Sequence, residues 1–133
     1  MAPARQAPPP AERLTGRVIV IGFDAVVGDT VHSRSKNEAI ILAAKLVDRI
    51  RRGEDFETLM NQYSDDAEGR RKGGRVALRR EDVSPGPDPD EVPASQVPDL
   101  AARLFELNPG ETALVPHHPD TCPTGYLVVQ RRD

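Results

Sequence analysis

GEDFETLMNQYSDDAEGRRKGGRVAL, residues 53–78, is the stretch whose reading decides the fold. Gly53 closes one helix and Asp55 opens the next, which carries Phe56, Leu59, Met60 and Tyr63 along one side. Tyr63-Ser64-Asp65-Asp66 then reads as a turn. A loop rich in arginine follows, and Gly73-Gly74 leads into Val76-Ala77-Leu78, a run short enough for an edge or connecting strand.

Upstream, Arg17 to Phe23 is a β-branched run, apolar on both faces, which predicts a central strand covered on both sides. The loop from Asp24 to Ser33 separates it from a helix. Ser35 with Glu38 forms a capping box, and Ala39, Ala43, Leu46, Val47 and Ile50 make one apolar stripe. Ile40, Ile41 and Leu42 widen that stripe and predict a well-buried helix. Residues 1–16 hold Pro3, Pro8, Pro9 and Pro10 among small and charged residues. They read as a disordered, proline-rich leader ahead of a domain over 17–133.

Downstream, residues 84–98 contain Pro85, Pro87, Pro89, Pro93 and Pro98 with Asp88, Asp90 and Glu91, a density that predicts a surface loop. Pro98 suits the first position of a helix bearing Leu100, Leu104 and Leu107. Asn108-Pro109-Gly110-Glu111 has the form of a type II turn. Thr112 to Val115 and Gly125 to Arg131 then read as strands joined by a loop with Pro116, Pro119 and Pro123. Long apolar strands at both chain ends with helices between them predict an α+β domain whose terminal strands pair in mid-sheet.

Composition narrows the classes. The 133 residues suffice for one domain, and with aromatics at 4% and no Trp its core must be aliphatic. A net charge of -3 gives no nucleic-acid or membrane bias, and no apolar run reaches the length of a membrane span. The single Cys122 excludes an internal disulfide, which suits a cytoplasmic protein and equally an extracytoplasmic one that uses none. The first residues lack the charged-then-apolar pattern of a secretory signal. A monomer is the expected state.

In order, these parts resemble the parvulin-type peptidyl-prolyl cis-trans isomerases. The carriers are the Gly53-Glu54-Asp55-Phe56 junction, Tyr63-Ser64-Asp65-Asp66, Gly73-Gly74, Val97-Pro98, Leu107-Asn108-Pro109-Gly110-Glu111 and Gly125-Tyr126. The likeness runs over residues 17–131. It implies a four-stranded antiparallel sheet surrounded by about four helices, proline-containing polypeptides as partners, and no cofactor. Isomerisation breaks no bond; the enzyme grips the proline and favours the twisted amide against a barrier of about 18–20 kcal/mol.

The resemblance also locates a site. Its acidic or thiol position falls on Asp66, which is retained, and a hydroxyl position falls on Thr124. Its two histidines fall on Val18 and Leu127, and its proline-ring pocket on Gln96 and Leu100. Where the family has Asp-Leu-Gly after Gly-Gly, Arg75-Val76-Ala77 stands here. Two aliphatic side chains in place of two imidazoles make a dry, inert patch, and Gln96 offers a polar surface to the ring. The implied function is a parvulin-like isomerase or foldase with weak or absent turnover; the alternative is a non-catalytic peptide-binding or chaperone module on the same fold.

The remaining candidates read more simply as structure. Asp66 also suits a turn that caps the following segment. Arg75 can reach Asp66 and close the old pocket. The basic run over 70–80 (Arg70, Arg71, Lys72, Arg75, Arg79, Arg80) lacks the interleaved aromatics of a nucleic-acid surface. His117, His118 and Cys122 have no evident fourth metal ligand and fit a polar hairpin loop, and His32 fits a loop.

Overall fold

The computed structural model describes residues 11–23, 26–27, 30–31 and 34–133. Residues 1–10 of the leader expected over 1–16, and six residues of the loop after the first strand, His32 included, lie outside the described residues. Strand β1 (Arg13–Ile21) begins ahead of the expected Arg17, because Arg13 to Gly16 find partners on a neighbouring strand. A small hairpin, β2 (Val26–Val27) and β3 (Thr30–Val31), follows.

Helix α1 (Lys36–Arg51) starts from the Ser35–Glu38 capping box, and Gly53 with φ of 105° lies just beyond its end. Its buried stripe is Ala39, Ala43, Leu46, Val47 and Ile50. Ile40 and Ile41 are 38% and 55% exposed, contrary to the well-buried helix expected. Only one face of α1 meets the sheet, so residues flanking that stripe point to water. Helix α2 (Phe56–Tyr63) is capped by Asp55, whose carboxylate accepts from the Thr58 N–H and hydroxyl. Helix α3 (Ala67–Arg71) is a short turn that leads into the basic run.

Strands β4 (Arg75–Arg79) and β5 (Glu91–Pro93) come next, then helix α4 (Pro98–Glu106) and strands β6 (Thr112–Val115) and β7 (Tyr126–Arg131). The sheet order is β5-β4-β1-β7-β6. The terminal strands β1 and β7 pair antiparallel in its middle, as the sequence predicts. Two corrections follow. The sheet is five-stranded and mixed rather than four-stranded and antiparallel, because β5 adds parallel to β4 (Leu78 opposite Val92). β4 is thereby an interior strand, and part of the proline-rich segment is the edge. An edge strand tolerates Pro93 because its outer side needs no ladder hydrogen bond.

Two aliphatic layers sandwich the sheet. On one face α1 and α2 pack over Ile19, Ile21, Tyr126 and Val128. On the other, α4 packs with Leu100, Ala101 and Leu104 against Leu14, Val20, Leu78, Leu127 and Val129. Alternation along β1 and β7 sends successive side chains to opposite layers, and that alternation places the candidate site on the α4 side.

Candidate functional site

The Tyr63-Ser64-Asp65-Asp66 turn completes the sheet where β4 stops. β4 pairs with β1 only as far as Arg17 opposite Arg75. Beyond it, Val18 N–H donates to the Gly74 carbonyl (2.9 Å) and Val20 N–H to Ser64 Oγ (3.1 Å). Asp65 N–H donates to the Val20 carbonyl (2.8 Å), and Gly22 N–H to Asp65 Oδ2 (2.9 Å). Arg34 Nη1 then bonds that same carboxylate oxygen at 2.7 Å and the Gly22 carbonyl at 3.0 Å. Of two adjacent aspartates, the first is the buried strut. Asp66 caps α3 instead, accepting from Gly69 N–H at 3.1 Å.

Gly74 is fixed by close approach. Its φ is 70°, and a Cβ there would lie 2.8 Å from both the Val18 carbonyl oxygen and Met60 Sδ. The glycine therefore lets the end of the basic loop lie flat against β1 at Val18.

Val18 and Leu127 lie on the same sheet face but not opposite each other. Val18 stands across from Val129, and Leu127 across from Val20. Both join the aliphatic layer that contains Leu100. Leu127 and Leu100 are buried there and Val18 is half-buried. Gln96, at the end of a short 3₁₀ turn (Ala94–Gln96), and Thr124, before Gly125, are exposed. The fold therefore gathers Val18, Leu100 and Leu127 into one apolar surface, sets Gln96 and Thr124 in solvent, and engages Asp66 in a helix cap.

Beside Leu100 opens a cleft of about 380 Å³, walled by Val76, Leu78, Val92 and Val97, with Lys72, Arg75 and Asp90 at its rim. Val76 and Val97 were read from the sequence only as parts of a strand run and of the Val97-Pro98 motif, and Val92 was not singled out; none was placed at a site. The signal that would have placed Val76 and Val92 at the cleft was alternation across β4 and a paired β5, and β5 is hidden among prolines. Arg75 does not reach Asp66; it pairs with Asp88 and, at 3.8 Å, with Asp90. The register opposite Arg17 turns Arg75 onto the other sheet face, and the proline-rich segment brings Asp88 to meet it.

His117, His118 and Cys122 do not converge. His117 packs edge-on to Phe23 (ring centroids 4.9 Å apart) and near Tyr126 (6.2 Å). His118 Nδ1 accepts from the N–H groups of Asp120 and Thr121, closing the loop (3.1 and 3.3 Å). The Cys122 thiol is buried against the Gly125 carbonyl, and burial pushes its pKa up. Among the described residues no three His, Cys, Asp or Glu side chains are placed to hold a metal ion, and no helix is long and apolar enough to cross a membrane.

Charge sets the pH dependence expected of the fold. Burial first, then Lys36 and His118, lowers the pKa of His117 below its ordinary 6.5. A base whose folded pKa is lowered contributes stability above its ordinary value, lost as pH falls. Glu91 is lowered from 4.5 chiefly by its bond from Arg13, then by Gly86 N–H. It helps above that value and fails below it. Unfolding midpoints should therefore be flat near neutrality, fall gently below about 6.5 and more steeply below about 4.5. His117→Asn should remove the first limb and Glu91→Gln should shrink the second. A pH series of denaturant unfolding that is flat to pH 3 would contradict both assignments.

The sequence matches the family model of the PPIC-type PPIase domain over residues 10–121. The chain belongs to that family, the parvulin-type peptidyl-prolyl isomerases. Among solved structures it is similar to the peptidyl-prolyl isomerase Ess1 from Candida albicans, with a TM-score of 0.66 and 18% identity over 92% of this chain and 63% of that one. It is similar to PrsA from Bacillus subtilis (TM-score 0.57, 18% identity, 92% of this chain and 35% of that one). NmPin, the parvulin of Nitrosopumilus maritimus, gives 0.54 at 15% identity, over 94% of this chain and 100% of that one. At such identities the likeness is one of fold. The chain spans about a third of PrsA and less than two thirds of Ess1. No curated protein matches the sequence.

Proposed function

We propose that this parvulin-like isomerase or foldase domain, acting as a monomer, engages extended X–Pro segments of polypeptides at the aliphatic face around Leu100 and isomerises them weakly or not at all. Catalysis of this reaction needs groups that favour the twisted amide over the planar one. The observation that carries the reading is the joining of Val18 and Leu127 to one aliphatic layer with Val20 and Val129. That layer is core except at half-buried Val18 and the cleft beside Leu100, and its side chains offer no donor or dipole to a rotating amide. Asp66, the retained position, spends its carboxylate on the Gly69 N–H.

The same observation favours a second reading, a non-catalytic peptide-binding or chaperone module on the parvulin fold. One experiment separates them. Two-dimensional exchange spectra of a proline peptide at substoichiometric protein give the cis–trans rate directly. The uncatalysed reaction takes tens to hundreds of seconds, and the expected rate with protein is within about twofold of it, with shift changes confined to the face around Leu100, Val97 and Gln96. Turnover faster by orders of magnitude would overturn weak catalysis; absence of any shift change would overturn binding at this face.

A further inference from the structure

The sheet face that carries α1 and α2 is only partly covered. α1 lies on β6, β7 and β1, and α2 on β1. Toward the other end of the strands, alternation brings Arg13, Thr15 and Arg17 of β1, Arg75 and Arg79 of β4, and Gln130 of β7 onto this same face. Most of these arginines have carboxylate partners. Arg13 bonds Glu91 at 2.9 Å, Arg79 approaches the same carboxylate at 3.9 Å, and Arg75 is held by Asp88 and Asp90.

Arg17 differs. Its guanidinium carbon lies 5.7 Å from the centroid of the Phe56 ring. Its Nε is enclosed with no acceptor, and among the described residues no ion pair or side-chain hydrogen bond reaches it. Asp55 lies close enough to feel its charge, but the Asp55 carboxylate is engaged by Thr58. A half-buried guanidinium with no hydrogen-bonded or ion-paired partner among the described residues is a liability in an isolated domain. Stacked on a ring, it is also held ready for an acceptor with little ordering left to lose.

We propose that Arg17 anchors a carboxylate side chain of a polypeptide partner docking on this open half of the sheet, on the face opposite the aliphatic site. The charges around it select that chemistry. Asp55, Asp88, Asp90 and Asp133 flank the arginines, so a dense polyanion is repelled while a single carboxylate among neutral or basic residues is accommodated. None of the strand positions named on this open half is aromatic, and Tyr126, Tyr63 and Phe23 belong to the layer under α1 and α2, so apart from Phe56, already under Arg17, this half offers no ring for base stacking. Thr15 is engaged by Asp133, and Gln130 bonds Thr112 at 3.2 Å, so these neighbours present polar edges without excess charge.

The test follows the Arg17 Nε–Hε resonance of the full chain during titration with a blocked Lys-Ala-Glu-Ala-Lys peptide, its Gln counterpart, and inorganic phosphate. The Glu peptide should shift that resonance, the Gln peptide should need about tenfold more to do so, and phosphate should be the weaker anion. The backbone amide shifts of Thr15, Arg75 and Gln130 report on the variants in the same titrations: Arg17→Met should abolish their response, Arg17→Lys should weaken it, and Arg17→Met should unfold at a higher denaturant midpoint than the parent because an unpaired cation is gone. Equal response to the Glu and Gln peptides, tighter binding of phosphate, or a lower midpoint for Arg17→Met (which would make Arg17 a packing strut on Phe56) would each overturn the proposal.

Discussion

Replacing Gly74 with alanine is expected to destabilise the domain by about 3–4 kcal/mol, whereas the same change at Gly73 should cost only about 1–2 kcal/mol. Both glycines have positive φ, 68° at Gly73 and 70° at Gly74, so both variants strain the backbone alike. The difference is what a methyl group meets. At Gly73 nothing lies within 4 Å; at Gly74 the Val18 carbonyl oxygen and Met60 Sδ each stand at 2.8 Å. Met60 can swing aside at some cost to packing, but the Val18 carbonyl belongs to the central strand. Moving Gly74 away also loses the 2.9 Å bond that its carbonyl accepts from Val18 N–H. Denaturant unfolding of the two variants beside the parent measures the contrast. Equal losses would mean that close approach to β1 contributes nothing.

That contrast bears on what the sequence could reveal. The Gly73-Gly74 pair is legible as a signature, yet only the structure separates a glycine needed for its backbone angle from one needed for contact. The same holds for Asp65 and Asp66. Adjacent carboxylates are indistinguishable in a string, but the first props β1 through Gly22 and Arg34 and the second caps α3. Elements with their own apolar pattern were legible: α1 and α4 each bury one helical stripe, and β1 and β7 are apolar runs buried on both faces. β5 was not, because local composition between Pro85 and Pro93 argues against a strand, and its formation depends on a tertiary partner, β4. The destination of Arg75 followed the same logic. Its spacing from Gly74 was visible, but the sheet face it takes is set by register against Arg17, which no local pattern encodes.

Placing histidines at Val18 and Leu127, the positions to which the sequence resemblance assigns them (Val18→His with Leu127→His), is expected to lower stability by about 4 kcal/mol and to leave X–Pro exchange at its uncatalysed rate. The first part follows from burial. Leu127 is 7% exposed and its cross-strand neighbour Val20 is 8% exposed. An imidazole there exchanges aliphatic contact for ring nitrogens facing aliphatic carbons, at about 1–3 kcal/mol for each unsatisfied group. Val18 is less buried, so its replacement should be the milder of the two. The second part follows from what surrounds them. A catalytic imidazole needs a partner to fix its tautomer and orientation, and the position that would supply one, Asp66, is bonded to Gly69 N–H. The proline ring would still meet exposed Gln96 beside Leu100. Protonation should add a further loss of stability below about pH 6.5, because water would solvate the charged ring in the unfolded chain and the aliphatic layer would not. Exchange spectra and unfolding of the double variant test the two parts separately. A stable, inactive variant would mean that the layer around Leu127 is wetter than its burial implies, and a gain of about a hundredfold in exchange rate would mean that the two histidine positions alone separate this domain from an active isomerase.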